Sequence, residues 1–134
     1  MFGTTKFIPL ETAQKIMAAA EAEARANDWS VAIAIVDAST NLLMFQKMDG
    51  VQTASIDVSI GKAKTAAGFK RPTKALEDMI SGGRTAFLAV DGVLPVQGGL
   101  PIQADGEVVG AIGVCGLTSA QDEQVAAAAL KAVE

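Results

Sequence analysis

The spacing of apolar residues predicts a helix near the start of the chain and a buried strand after it. Apolar positions recur at intervals of three and four over Leu10 to about Ala26, and the charged residues fall on other faces. Asn27-Asp28 supplies turn residues at the end of this helix. Val31–Val36 is apolar without alternation and rich in β-branched residues, which is typical of a central strand covered on both faces.

A hairpin and a second, longer helix are predicted next. The turn residues Asp37–Asn41 separate the first strand from Leu42–Met48, so these two strands are expected to pair. Asp49-Gly50 ends the second strand. The alanine-rich stretch at about Thr53–Phe69 then predicts a helix.

The middle of the chain is punctuated by proline and glycine. Pro72 stops the long helix, and Thr73 caps a short one that runs through Ile80 and leaves at Gly82-Gly83. The stretch Arg84–Ile102 contains β-like pieces broken by Gly and Pro, and is predicted to form one or two short strands with a loop.

The last part of the chain predicts a hairpin and a terminal helix. Asp105-Gly106 is a two-residue hairpin turn that leads into a strand over Glu107–Val114. Overlapping capping boxes at Thr118–Gln121 and Ser119–Asp122 start a helix rich in Ala, Val and Leu.

The predicted order is α-β-β-α-α-β-β-α, with room for one extra strand. Hairpins with helices at both ends predict an α/β domain of the α+β type, in which helices pack on an antiparallel sheet rather than on a doubly wound parallel one. No linker or internal repeat divides the sequence, so we expect one domain over residues 1–134.

Composition adds limits on partners. Half of the residues are hydrophobic, with only five Phe, one Trp and no Tyr, so aliphatic side chains must fill the core. That apolar content exceeds what a small monomer needs to bury and predicts a homo-oligomer. The net charge of −4 gives no reason to expect nucleic acid or an acidic membrane surface as a partner.

The expected location is the cytoplasm. The longest apolar run, Val31–Val36, is too short to span a bilayer, and the first residues lack the apolar stretch of a secretion signal. Cys115 is the single cysteine, which excludes an internal disulfide and fits a reducing compartment.

The absence of histidine removes several kinds of chemistry. Ser-His-Asp and Cys-His catalysis in their usual forms need a histidine, as do His-rich zinc sites, and one cysteine cannot compensate. No metal site is therefore expected. Gly61-Lys62 is followed by Ala63, so no phosphate-binding Walker sequence exists. Gly110, Gly113 and Gly116 are spaced by three and indicate close packing rather than a dinucleotide fingerprint.

Three segments stand out in order along the chain. Lys47–Gly50 contains Met-Asp-Gly, the helix carries Gly61–Ala66 and runs into Lys70–Thr73, and Gly98–Ile102 precedes the last hairpin. This set resembles the GlcG/HbpS family, the haem-binding or "haem-degrading" domain that is also found at the C-terminus of PduO-type corrinoid adenosyltransferases. The resemblance covers about residues 8–134. The residues that match the family's motifs are Met48, Asp49, Gly50, Lys62, Thr65, Phe69, Pro72, Gly98, Gly99 and Pro101.

The resemblance implies a profilin-like or PAS-like antiparallel sheet of about five strands with flanking helices, assembled into dimers or larger oligomers. It also implies that haem or another small ligand binds near a subunit interface. The candidate lining residues are Asp49, Lys62, Thr65, Phe69, Arg71, Gly98, Gly99 and Pro101. Lys62 and Arg71 would meet ligand carboxylates and Phe69 would stack on the ligand. Since histidine is absent, haem iron would need a sulfur or oxygen ligand, and Cys115, Met44 and Met48 are the sulfur candidates in this argument.

Each candidate also has an ordinary structural interpretation. Asp49 fits a hairpin turn, Lys62 a solvated helix face, and Cys115 a buried small side chain. Three functions therefore stay open. The first is binding of a small molecule, with haem or a related tetrapyrrole as the leading ligand class. The second is a histidine-independent enzyme that acts on a small organic acid or carbonyl compound, with Asp49 and Lys62 as its acid/base pair. The third is a structural oligomer with a vestigial pocket.

Overall fold

Val31–Val36 lies at the centre of the sheet because its side chains are apolar on both faces, and all six residues are fully buried. A computed structural model describes residues 1–134. Strand β1 (Ala32–Asp37) pairs antiparallel with β2 (Leu42–Lys47) on one side and with β4 (Glu107–Cys115) on the other. Strand β3 (Gly99–Ala104) pairs with β4, which gives the order β2-β1-β4-β3.

Helices cover both faces of this sheet. Helices α1 (Leu10–Ala26) and α4 (Ser119–Lys131) pack on one face, over a core of Ile, Val and Met side chains. Helix α2 (Ala54–Phe69) packs on the other face, where the core is mostly alanine. Helix α3 (Thr73–Ser81) follows it and lies beside β3. The small side chains of this second core let α2 approach the sheet closely.

Gly113 shows how closely α2 approaches. A Cβ atom at this position of β4 would collide with the Ser59 carbonyl oxygen and with the Ala63 backbone nitrogen. Gly113 therefore serves helix–sheet packing, one of the close approaches that the glycine spacing predicted.

The predicted antiparallel sheet with flanking helices is confirmed, and α1 has the predicted bounds. The expected count of about five strands is wrong, because the sheet has four. The stretch before β3 contains a short 3₁₀ helix (Thr85–Ala89) and no strand. Pro95 has no N–H to donate, Gly92 has a φ of +77°, and the Leu94 N–H donates to a side chain instead of a neighbouring strand.

One of the two predicted capping boxes forms at the start of α4. The Thr118 side chain accepts from the Gln121 N–H, and the Gln121 side chain accepts from the Thr118 N–H. Asp122 does not complete the second box, because its carboxylate has other partners. As for membranes, none of the helices is both long enough and apolar enough to cross a bilayer.

Candidate functional site

Lys62 is a buried lysine with a defined set of partners. Its side chain is 1% exposed, although it projects from a helix that also carries solvated residues. The Nζ atom donates to the Val114 carbonyl oxygen at 2.9 Å and to Asp122 Oδ2 at 3.0 Å. Asp122 lies in the first turn of α4, on the other side of the sheet, and is 2% exposed. The ion pair therefore ties the two helical layers together at the end of β4.

The glycine pair before β3 leaves room for this lysine. Gly98 has a φ of +132°, and a Cβ atom there would lie 2.7 Å from Lys62 Nζ and 2.7 Å from the Val114 carbonyl oxygen. A Cβ atom on Gly99 would lie 2.5 Å from the Lys62 carbonyl oxygen. The Gly99 N–H donates to Thr73 Oγ1 at 2.9 Å, which fixes α3 to the start of β3. Both glycines thus have a steric role beside the lysine.

The carboxylate that pairs with Lys62 belongs to Asp122, and sequence reasoning did not identify this partner. Its Oδ1 accepts the Leu117 N–H at 3.0 Å. Burial raises the pKa of the Asp122 carboxyl above its ordinary value, and the Lys62 charge and the Leu117 N–H offset only part of that effect. An Asp near a helix start is usually a local cap, so nothing in the sequence marked it as the counter-ion of a lysine sixty positions away.

Asp49 lies elsewhere. It is exposed in the turn after β2, beside Trp29 and Ser30, and its backbone carbonyl oxygen accepts the Ser30 hydroxyl at 2.5 Å. The predicted Asp49–Lys62 pair therefore does not form, because the Lys62 ammonium is enclosed by Val114, Asp122 and Gly98. Acid/base catalysis by that pair has no geometric basis in this structure.

Thr65 and Phe69 lie one turn apart on α2, beneath the segment before β3. Thr65 is 2% exposed, and its Oγ1 accepts the Leu94 N–H at 2.9 Å. Leu94 packs on Gly61, where an added Cβ atom would lie 2.9 Å from Leu94 Cδ2. The Phe69 ring lies 5.8 Å from the Phe87 ring, between centroids. Thr65 thus holds a covering segment in place, and its contact with a ligand stays a prediction.

Two arginines contact the residues that carry these phenyl rings, one at a ring face and one at the backbone. The exposed Arg71 donates from Nε to the Phe69 carbonyl oxygen at 3.2 Å, and its Nη1 lies 3.9 Å from Met79 Sδ. The Arg84 guanidinium lies 5.5 Å from the centroid of the Phe87 ring. We call Phe69, Arg71, Arg84 and Phe87 the aromatic–arginine surface. Sequence reasoning missed Arg84 and Phe87, although an aromatic residue in a Gly- and Pro-broken segment is a signal that could have drawn attention to them.

Pro101 lies apart from the other predicted residues. It is half-buried in the edge strand β3 and borders a groove of about 270 Å³ together with Leu130 and Val133.

Cys115 is a half-buried free thiol at the end of β4. No three or more Cys, Asp or Glu side chains are arranged to hold a metal ion. The predicted site residues therefore fall into four places rather than one pocket.

Comparison with known proteins decides the family. A family model described as haem degrading protein HbpS-like matches residues 8–131. The chain belongs to the HbpS-like family. The resemblance that the motif residues indicated is therefore confirmed.

Similar proteins and solved structures cover most of the chain. Protein GlcG of Escherichia coli strain K12 is 43% identical over 111 residues, which is 83% of this chain and 83% of GlcG. A double mutant of HbpS from Streptomyces reticuli is 30% identical, with a TM-score of 0.93 over 99% of this chain and 91% of that one. A PduOC:heme complex shares the fold at 24% identity, with a TM-score of 0.87 over 95% of each chain.

Proposed function

We propose that this HbpS-like protein binds a small planar molecule that carries carboxylates, with haem or a related tetrapyrrole as the ligand class. The observation that supports this proposal is the aromatic–arginine surface. Its two phenyl rings lie 5.8 Å apart, the Arg84 guanidinium lies over the Phe87 ring, and the Arg71 guanidinium donates to the Phe69 backbone carbonyl oxygen. Rings stack on the face of a planar ligand, and guanidinium groups pair with carboxylates through two parallel hydrogen bonds. The description of the matching family and the heme complex of PduOC support the same ligand class.

The residues present fit the organic part of haem better than its iron. Phe69 and Phe87 match the apolar macrocycle, and Arg71 and Arg84 match its two propionates. Histidine is absent, so an axial ligand would have to be a sulfur or oxygen atom. The Met79 thioether contacts this surface, since its Sδ lies 3.9 Å from Arg71 Nη1. Met79 therefore replaces Cys115, Met44 and Met48 as the candidate to test first.

The site is proposed to lie next to a contact between copies of the chain. Leu88 is 64% exposed and Val90 is 44% exposed, and both flank Phe87 in the segment that covers α2. Large apolar side chains exposed together usually mark a partner surface. A second copy packed on Leu88 and Val90 would shield the rings from water and complete the ligand site. The protein is thus proposed to work as a homo-oligomer.

A haemin titration of tag-free protein, read from its visible spectrum, tests the function and the site together. A polyhistidine tag must be absent because it would supply the ligand that the chain lacks. We expect a saturable Soret shift whose affinity falls about tenfold in Arg71→Gln and in Arg84→Gln, and stays unchanged in Arg25→Gln. Arg25 is the matched control, since it is an exposed arginine on α1 and pairs with Glu21.

The outcomes separate the alternatives. Saturable binding that all three arginine variants retain would place the ligand away from the aromatic–arginine surface. A weak, unsaturable shift would reject haem and favour a structural oligomer with a vestigial pocket. A changed Soret position in Met79→Leu, with affinity retained, would identify the thioether as the iron ligand.

A further inference from the structure

A second, polar pocket lies around the only tryptophan of the chain. Its volume is about 200 Å³, and it is lined by Arg25, Asp28, Trp29, Ser30, Met48 and Asp49. It shares no residue with the aromatic–arginine surface. It contains the Met-Asp part of the Met-Asp-Gly motif, which the proposed function leaves without a role.

The walls of this pocket are tied together by backbone contacts. The Trp29 N–H donates to the Ala24 carbonyl oxygen at 2.8 Å, which fixes the turn after α1. The Ser30 hydroxyl donates to the Asp49 carbonyl oxygen and joins that turn to the end of β2. The pocket is therefore largely formed before any ligand arrives, as small-molecule sites usually are.

Its charge is negative. Asp28 and Asp49 are exposed, and neither carboxylate takes part in an ion pair within the chain. Arg25 is the one cation in the lining, and its Nε already donates to Glu21 Oε2 at 2.7 Å. The pKa of Arg25 is raised above its ordinary value first by that hydrogen bond to Glu21, with the Asp49 charge the smallest cause. Arg25 thus pairs with Glu21, and the carboxylates of Asp28 and Asp49 are available to bind a cation.

Trp29 selects the kind of cation. The residue is half-buried and packs partly against the core, and it borders the pocket. An indole ring attracts a cation through its π face more strongly than any other side chain ring. Met48 adds a soft, polarisable wall. A hydrated metal ion would gain little from this apolar surface, whereas an organic ammonium ion uses both the ring and the carboxylates.

We propose that this pocket binds a small organic ammonium compound, with the charge held by Asp28 and Asp49 and the carbon substituents against Trp29 and Met48. The site is independent of the proposed tetrapyrrole site. Loss of haemin binding would leave it untouched, and its own failure would not affect haemin binding.

Tryptophan fluorescence gives a direct test, because Trp29 is the only tryptophan. The probes are choline chloride and methylammonium chloride, with sodium chloride as the salt control. 3,3-Dimethylbutan-1-ol serves as the uncharged isostere of choline. We expect a saturable change in emission with at least one ammonium salt and none with sodium chloride or the alcohol. Asp49→Asn and Asp28→Asn should each weaken binding about fivefold, and Asp57→Asn, an exposed aspartate on α2, should not.

A Trp29→Leu variant keeps the test independent of the fluorophore. Binding is then followed by saturation-transfer NMR of the choline methyl signals, and the wild-type signal transfer should be lost. Equal responses to choline and to its neutral isostere would overturn the proposal. Wild-type affinity in both the Asp28 and Asp49 variants, or no saturable response to either ammonium salt, would also overturn it.

Discussion

The Lys62 ammonium and the Asp122 carboxylate lie 3.0 Å apart, and both side chains are almost completely excluded from solvent. The pair joins α2 to α4, which cover opposite faces of the sheet. Removing two charges from water costs free energy. The attraction within a buried pair offsets that cost only when the other polar atoms of the pair are also hydrogen-bonded. Here Val114 and Leu117 supply those bonds. Lys62, for which the family resemblance implied a contact with ligand, therefore has a structural role in this fold.

Lys62→Met should destabilise the protein by about 3–5 kcal/mol at neutral pH. The substitution keeps most of the side-chain volume but leaves the Asp122 carboxylate buried without its counter-ion. Urea unfolding followed by circular dichroism measures the change. Lys74→Met is the control, because it breaks the exposed Lys74–Asp78 pair on α3 and should have a much smaller effect. Similar losses in the two variants would show that the buried charge pair adds nothing special.

Stability should depend on pH through Asp122. Its pKa is raised in the folded protein, so the folded state holds this proton more tightly than the unfolded chain. By linkage, the Asp122 contribution to stability is fully present below the ordinary pKa of 3.8 and declines as pH rises through the folded-state value. The free energy of unfolding of wild type minus that of Asp122→Asn should therefore fall from acid to neutral pH.

Matched unfolding curves across that pH range test the sign of the Asp122 effect. The corresponding difference for Asp57→Asn, which alters an exposed carboxylate, should stay nearly flat. A wild-type advantage over Asp122→Asn that grows with pH would mean that ion pairing with Lys62 outweighs burial.

Gly98→Ala should cost more stability than Gly92→Ala. Both glycines have a positive φ, which costs an L-residue about 1–2 kcal/mol. A Cβ atom at Gly92 meets open space, whereas at Gly98 it collides with the Lys62 ammonium and the Val114 carbonyl oxygen. We expect overpacking at Gly98 to add about 1–3 kcal/mol. Thermal unfolding of the two variants checks the difference, and equal losses would contradict the steric role of Gly98.

Thr65→Val should loosen the segment that covers α2. The Leu94 N–H would lose its acceptor, which we expect to cost about 1–2 kcal/mol. Hydrogen exchange of peptides that span residues 90–97 should become faster. Thr53→Val is the control, because the Thr53 hydroxyl makes no capping hydrogen bond. Unchanged exchange in Thr65→Val would show that Leu94 packing alone holds the segment.

The helices and the central strand were predictable because the spacing of their apolar residues shows which of their faces are buried. Helix α1 and strand β1 match the predicted ranges closely. The stretch before β3 was not predictable in the same way. Its apolar residues read as strand pieces, but Leu94 packs on α2 at Gly61 instead of joining the sheet. The apolar character of a segment alone does not show whether it joins the sheet or packs against a helix.

For the candidate site, the sequence predicted the family of the protein but not the arrangement of the site residues. Motif residues identified the family. The fold nevertheless places Asp49 away from Lys62, and it buries the side chains of Lys62 and Thr65. The partner of Lys62 was out of reach because a capping role already explained Asp122 locally. Long-range pairing of two buried charges depends on how three layers stack, and no local pattern records that.

The two central strands, β1 and β4, come from nearly opposite ends of the chain. During synthesis, β1 and β2 can pair early, but one edge of β1 stays open until residues 107–115 have left the ribosome. That open edge belongs to the most apolar strand in the molecule, so the nascent chain exposes a template for aggregation. In the folded protein β4 covers that edge, and α4 supplies Asp122, the partner of the buried Lys62. Because β4 is synthesised after β1 and β2, the sheet can be completed only late in synthesis.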